Sequence, residues 1–281
     1  MPTMKVDNAQ IDDDGHTGAP VATNQVNRNS DFCPLPHGIV TPINVQRFNK
    51  LLQHHPNRDQ VNYVVSGLRL GFDIGFQGAF TDDNTRPLNL LSARNNVLKV
   101  SEAIKKEVLH GHTSGPFIAP PFFHTHCSPV GSAPKSDGSA RLILDLSSPR
   151  GDAVNEHIDQ EQFSCSYSKF DDAIDIVRTL GWGAWLAKAD IRHAFRLCPV
   201  KMEQWYLLCY NWKNSFYVDT RLPFGSRSSP SIFNSFAGLL AWILVHVSGI
   251  LFLIHYLDDF FFTNSEQCCV IHNSIIQSLL Y

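Results

Sequence analysis

The chain has 281 residues, 43% hydrophobic and 17% charged, an ordinary globular composition with length enough for a sizeable core and one or two domains. Its formal net charge of −3 carries no basic signature, so charge alone argues against nucleic-acid binding. A local basic cleft remains open, because the position of charges matters and not only their sum.

Residues 1–36 are rich in Asp, Asn, Gly, Thr and Pro without hydrophobic periodicity, which predicts a disordered leader. The runs VQRFNKLLQHH (45–55) and RDQVNYVVSGLRLGF (58–72) predict two short amphipathic helices, closing at Gly67 or Gly71. A loop, GAFTDDNTRPLN, precedes a polar helix over 93–109 with Lys105 and Lys106 on its exposed side. Residues 37–110 thus form an N-terminal helical region. Pro, Gly, Ser and His dominate 111–134, predicting extended segments and turns. The run SARLILDLS (139–147) predicts a strand, 169–180 a helix, and 184–189 a short apolar strand that runs into Asp190. Gln204 to Tyr210 and Ser215 to Val218 read as the strands of a hairpin around NWKN. A helix starting near Ser229-Pro230 and a hairpin, LFLIHYLDDFFF, follow. Strands and helices mix without strict alternation, so the predicted class is α+β.

Residues 236–254 (FAGLLAWILVHVSGILFLI) form a 19-residue stretch with no formal charge, long enough for a membrane span. His246, Ser248 and Gly249 interrupt it, and it runs on towards Asp258-Asp259. A buried helix to about Val247, a turn at Ser248-Gly249 and a buried strand explain it as well. The seven cysteines are scattered, odd in number and lack a CxxC pair, and the opening MPTMKVDNAQIDDDG is too polar for a secretory signal. Reduced, mostly buried thiols in an intracellular protein, cytoplasmic or nuclear and not secreted, are expected.

Tyr256-Leu257-Asp258-Asp259 sets two carboxylates between apolar runs. Ionised carboxylates in dry surroundings are costly unless paired or bound to a cation. The pattern places them at a hairpin turn, where alternation of side chains makes Asp258 the candidate ligand and Asp259 peripheral. A plain solvated Asp-Asp turn is the alternative. Asp190 ends another apolar strand, and if that strand lies beside the hairpin, Asp190 and Asp258 share one site. Two divalent ions about 4 Å apart, held by such carboxylates, suit in-line phosphoryl transfer. Oxygen ligands favour Mg²⁺, with Mn²⁺ possible, over zinc. A zinc site from His110, His112, His124, His126 and Cys127 fits known spacings poorly, and loop histidines packed among prolines are the expected reading.

These segments resemble the conserved motifs of reverse transcriptases. LAKADIRHAFRLCPV resembles motif A, RLPFGSRSSPSIFNSF motif B and HYLDDFFF motif C, while SPVGSAPKSDGSARLILDLSSPRGDAVNEHI resembles the preceding fingers segment. LLQHHPNRDQVNYVVSGLRLGFDIGF followed by GPFIAPPF resembles the enzymes of DIRS-like, tyrosine-recombinase retroelements. The likeness covers roughly residues 40–270 and implies a right-hand polymerase: fingers over 111–183 and palm over 184–281. The palm is expected as an antiparallel sheet with helices on one face and a fingers insertion near 199–228, and the chain to stop before thumb and RNase H. It implies RNA-directed DNA polymerase activity with dNTPs on an RNA or DNA template and primer, no membrane, and two Mg²⁺. Activity of so short a piece is doubtful, and a non-catalytic remnant is the alternative.

By the same resemblance, Asp190, Asp258 and Asp259 are the catalytic acids and the carbonyl of Ile191 completes a metal shell. Phe195 matches the steric gate under the incoming sugar, with a plain core aromatic as the alternative. Lys135 and Arg141 match the cations that grip the triphosphate, through a point charge and a bidentate fork respectively. Phe224 and Gly225 belong to the nucleotide-side loop of motif B, where glycine supplies backbone freedom.

Overall fold

A computed structural model describes residues 32–79, 86–183 and 186–263. The described chain is α+β, built on three small antiparallel sheets and six α-helices within those residues. Residues 1–31 of the expected leader lie outside the described residues, and its last part, from Phe32 to Pro36, is described. Cys33 exchanges two backbone hydrogen bonds with Gly115, at 2.8 and 2.7 Å, which pins the chain there.

Helix α1 (Val45–Leu51) and helix α2 (Arg58–Leu70) start on Asn44 and Asn57, whose side chains accept from the amides of Arg47 and Gln60. Such caps satisfy amides that lack partners within the helix. Of the two glycines expected to close α2, Gly71 does so, with φ at 86°, while Gly67 is buried inside the helix. The predicted helix over 93–109 divides into α3 (Leu91–Arg94) and α4 (Val97–Leu109). At the break Asn96 donates its side-chain amide to the Ser92 carbonyl, the local competition that disfavours Asn inside helices.

The first sheet is ordered β1 (Thr113–Phe117), β6 (Ser215–Asp219), β5 (Cys209–Trp212). The expected strand over 204–210 is largely a 3₁₀ turn, Met202–Leu207, and the hairpin strand is β5 instead. Gln204 accepts from the Ile74 amide and donates to Asp73, while the Trp205 indole donates to the Val200 carbonyl. These bonds hold a tight turn that β propensity did not anticipate. The hairpin closes on Lys213 and Asn214, both with positive φ, the geometry that matches strand twist in a two-residue loop.

Strands β2 (Val130–Pro134) and β3 (Ala140–Leu144) form a separate hairpin. The third sheet is ordered β4 (Leu186–Asp190), β8 (Asp259–Thr263), β7 (Phe252–Tyr256). On its inner side Ala187 and Ala189 stand opposite Phe262 and Phe260, so small residues make room for large ones. Both rings are buried. Helix α6 (Ser229–His246) packs against β7 and α2, burying Phe233, Phe236, Leu240 and Ile243. Each such side chain contributes about 2 kcal/mol of apolar burial. The helix is long and apolar enough to cross a membrane by length and composition, yet half of it is buried inside the molecule. It ends before Gly249, whose φ is 73°, and β7 follows, the helix–turn–strand reading of the apolar run. Helix α5 (Phe170–Leu180) flanks β7, leaving a hollow of about 440 Å³ against Ile254, Tyr256 and Phe261.

Candidate active site

Strand β4 delivers Asp190 to the end of the third sheet, directly opposite Asp259. The β7–β8 hairpin turns on Leu257 and Asp258, and Leu257 has φ at 53°. Positive φ in a branched apolar residue is strained backbone, of the kind that persists where the surrounding structure imposes it. The Ile191 amide donates to the Asp258 carbonyl at 3.0 Å, tying the residue after Asp190 to that turn. Asp190, Ile191 and Asp258 line one cavity of about 680 Å³.

Burial raises the Asp258 carboxyl above its usual range, and the neighbouring charges of Asp190 and Asp259 push the same way. A hydrogen bond from its own backbone amide and the Arg141 guanidinium oppose this. A carboxylate so placed is relieved by a cation, and two carboxylates with a backbone carbonyl are a hard, all-oxygen donor set. Among the described residues no three His, Cys, Asp or Glu side chains group as metal ligands. Asp190 and Asp258, with the backbone carbonyls beside them, are the oxygen atoms that this cavity would offer a cation.

Asp259 takes a different direction. Its carboxylate pairs with Lys188 at 3.0 Å, and both line the hollow beside α5 instead of the larger cavity. The opposite wall of the larger cavity comes from the β2–β3 hairpin, with Lys135 at its turn and Arg141 on β3. Arg141 lies over the Phe224 ring at 4.8 Å, a cation–π contact that steadies the guanidinium. Phe224 lines the cavity, whereas Phe195 is 9% exposed behind it, 5.1 Å from Phe224 and 5.5 Å from Phe233 between ring centroids. Gly225 has φ at 119°, and a Cβ there would sit 1.9 Å from the Leu144 carbonyl oxygen. No other residue fits without displacing β3.

Asn155, to which the sequence assigned no role, ties the Gly225 loop to the fingers side. Its side-chain amide donates to the Gly225 carbonyl and to Ser147, and its side-chain oxygen accepts from the Arg227 amide, each at 2.8 Å. The fingers run gave no signal for it, because two of its partners, Gly225 and Arg227, lie 70 and 72 residues away. A buried ion cluster was equally illegible. Arg196 is 3% exposed, pairing with Asp219 at 2.7 Å and Glu107 at 3.0 Å. Thr113 donates to Asp219, and His112 bonds Glu107 at 3.0 Å. His110, His112 and His193 form a mutual ring cluster with centroids 4.8 to 5.4 Å apart. His126 and Cys127 run along Tyr206 and Cys209 instead.

A metal-compatible acid pair at the end of a strand and hairpin, facing a basic hairpin across a cavity, is the architecture of a polymerase fingers and palm. The fold resembles a foamy viral protease–reverse transcriptase solved with double-stranded DNA, at a TM-score of 0.53 and 18% identity. That match covers 88% of this chain and 44% of the other. Residues 133–280 match the family model described as reverse transcriptase (RNA-dependent DNA polymerase), and the chain belongs to that family. It is 29% identical over 112 residues to the Pro-Pol polyprotein of simian foamy virus type 1, over 38% of this chain and 8% of that one. The chain thus spans less than half the length of these relatives.

Proposed function

We propose that the chain carries the nucleotide-addition site of an RNA-directed DNA polymerase, extending a primer 3′-hydroxyl with dNTPs on an RNA or DNA template. The carrying observation is the convergence of Asp190 and Asp258 with Lys135 and Arg141 on one cavity. Asp190, Asp258 and the Ile191 carbonyl would hold two Mg²⁺, with Mn²⁺ as a substitute. When bound, such ions activate a hydroxyl nucleophile and neutralise a leaving phosphate. Lys135 and Arg141 bind the triphosphate and fix its orientation, Arg141 held by its stacking on Phe224. Gly225 lets the loop backbone approach the nucleotide, and Phe195 stands behind Phe224 to restrict room for a 2′-hydroxyl. Asp259, engaged with Lys188, shapes the turn from the side and adds negative charge next to Asp258.

The similar foamy viral structure was solved with double-stranded DNA, which supports primer–template as the partner. Placement in DIRS-like, tyrosine-recombinase elements rests on the runs LLQHHPNRDQVNYVVSGLRLGF and GPFIAPPF, and a recombinase reading frame in the same element would test it. An intracellular setting without a membrane anchor is supported by five free cysteines among the described residues and by the burial of α6 against α2 and β7. The domain reading, helical region to 110, fingers to 183 and palm beyond, is supported by the separate β2–β3 hairpin and β4–β8–β7 sheet.

Primer extension with Mg²⁺, comparing the chain and a version lengthened at its C-terminus with their Asp258→Asn forms, tests the proposal. Addition is expected to disappear in Asp258→Asn, because one charged ligand is lost. Ordinary activity in that variant would contradict the assignment. Silence of every wild-type form would favour a non-catalytic remnant.

A further inference from the structure

The cavity has a third wall that the acid pair and the fingers cations do not use. Helix α4 contributes Lys99, Ala103, Lys106 and, at its C-terminal cap, His110. Steps of seven and eleven residues return to within about 20° of the same line on a helix, so the three cationic or protonatable side chains form a stripe. Ala103 leaves a hollow between them. Lys99, Lys106 and His110 are exposed, and no ion pair occupies any of them among the described residues. The stripe meets the rest of the site at its C-terminal end. Its His110 ring packs on His193, 4.8 Å away, in the turn just after Ile191. Asp137, on the tip of the β2–β3 hairpin, lines the same cavity.

The charge balance asks for an anion here. Of the carboxylates lining the cavity, Glu107 is engaged by Arg196 and His112, and Asp137 accepts from Ser139. Asp190 and Asp258 share the cavity with Lys135 and Arg141. Lys99, Lys106 and Arg192 then stand against Glu102 and Asp137, an excess of one cation before His110 is counted. A cavity of about 680 Å³ is of the size that takes a small ligand, not a duplex.

We propose that Lys99, Lys106 and His110, with His193, form a second polyphosphate-binding wall, taking the distal phosphates of the nucleotide and the pyrophosphate it releases. The identity of the anion rests on the polymerase reading; the binding wall itself does not. Lysine donates to phosphate oxygens as a point charge and imidazole adds a directional N–H, so a flexible phosphate chain suits them.

Inorganic tripolyphosphate, titrated calorimetrically into the full 281-residue chain, is the probe. The double variant Lys106→Gln/His110→Gln is expected to bind about tenfold more weakly, the order that one charged hydrogen bond contributes. Lys106→Arg keeps the charge and is expected to bind as the wild type does. Both positions are exposed, so the fold is expected to survive, and melting temperature measured beside the titration separates lost binding from lost folding. Wild-type tripolyphosphate affinity in the double variant overturns the proposal, as does a variant that weakens only primer–template binding. Either result leaves the Asp258→Asn test untouched, and inactivity of Asp258→Asn says nothing about the stripe.

Discussion

Phe195 and Phe224 stand in series from the core to the cavity, and only the outer ring lines it. If the cavity takes a nucleotide as proposed, discrimination against a 2′-hydroxyl would depend on Phe195 holding Phe224 forward as much as on any direct contact. Replacing Phe195 with Val removes ring volume behind Phe224 and lets it recede. Rates of rNTP relative to dNTP addition are expected to rise, together with a loss of about 1–3 kcal/mol of stability from the void. Single-nucleotide extension with matched rNTP and dNTP, beside urea unfolding, separates the two effects. An unchanged ratio with reduced stability would make Phe195 a core aromatic and nothing more.

The Gly225 loop shows what a local pattern conveys and what it leaves out. Its glycine was legible, because a backbone with φ at 119° pressed against the Leu144 carbonyl admits no side chain. Asn155 was not, because the three groups it bonds come from Ser147, Gly225 and Arg227 and meet only in the fold. The acid pair was legible for the opposite reason: apolar strands ending in Asp190 and turning at Leu257-Asp258 carry their own register. The 3₁₀ turn at Met202–Leu207 escaped because bonds from Gln204 to Asp73 and Ile74, remote in sequence, overrode strand-like residues. Asn155→Ala is expected to cost about 1–2 kcal/mol, since it removes three hydrogen bonds that join Ser147, the Gly225 carbonyl and the Arg227 amide. A loop so loosened should also raise the KM for dNTP more than it lowers kcat. Asn155→Asp keeps the acceptor for Arg227 but loses the donors, and should fall between. Equal KM values in all three forms would reduce Asn155 to a stability residue.

Arg196 joins α4 through Glu107 to β6 through Asp219, one residue after Phe195, so the nucleotide-side turn is anchored to two distant elements by charge. Burial alone would raise Glu107, but the Arg196 guanidinium, with His112 and His193, holds its carboxyl down at about 2 against an ordinary 4.5. In the unfolded chain Glu107 regains the ordinary value. Above pH 4.5 it is ionised in both states and its full contribution is present. As pH falls from 4.5 towards 2 the unfolded chain takes up a proton that the folded chain refuses, and that stability is lost. The loss amounts to about 3 kcal/mol over the whole window, since each tenfold change in proton affinity is worth about 1.4 kcal/mol. Asp219 acts with the opposite sign: burial pushes its carboxyl up, against Arg196 and Thr113, so it favours the folded state as acid is added. The measurement is accordingly a difference, the urea unfolding free energy of wild type minus that of Glu107→Gln, followed from about pH 6 to about pH 3. That difference should shrink on the acid side and hold steady above about pH 5. A difference that does not change with pH would mean that Glu107 holds α4 by packing and hydrogen bonding, and that the charge of the cluster does not couple the helix to the nucleotide-side turn.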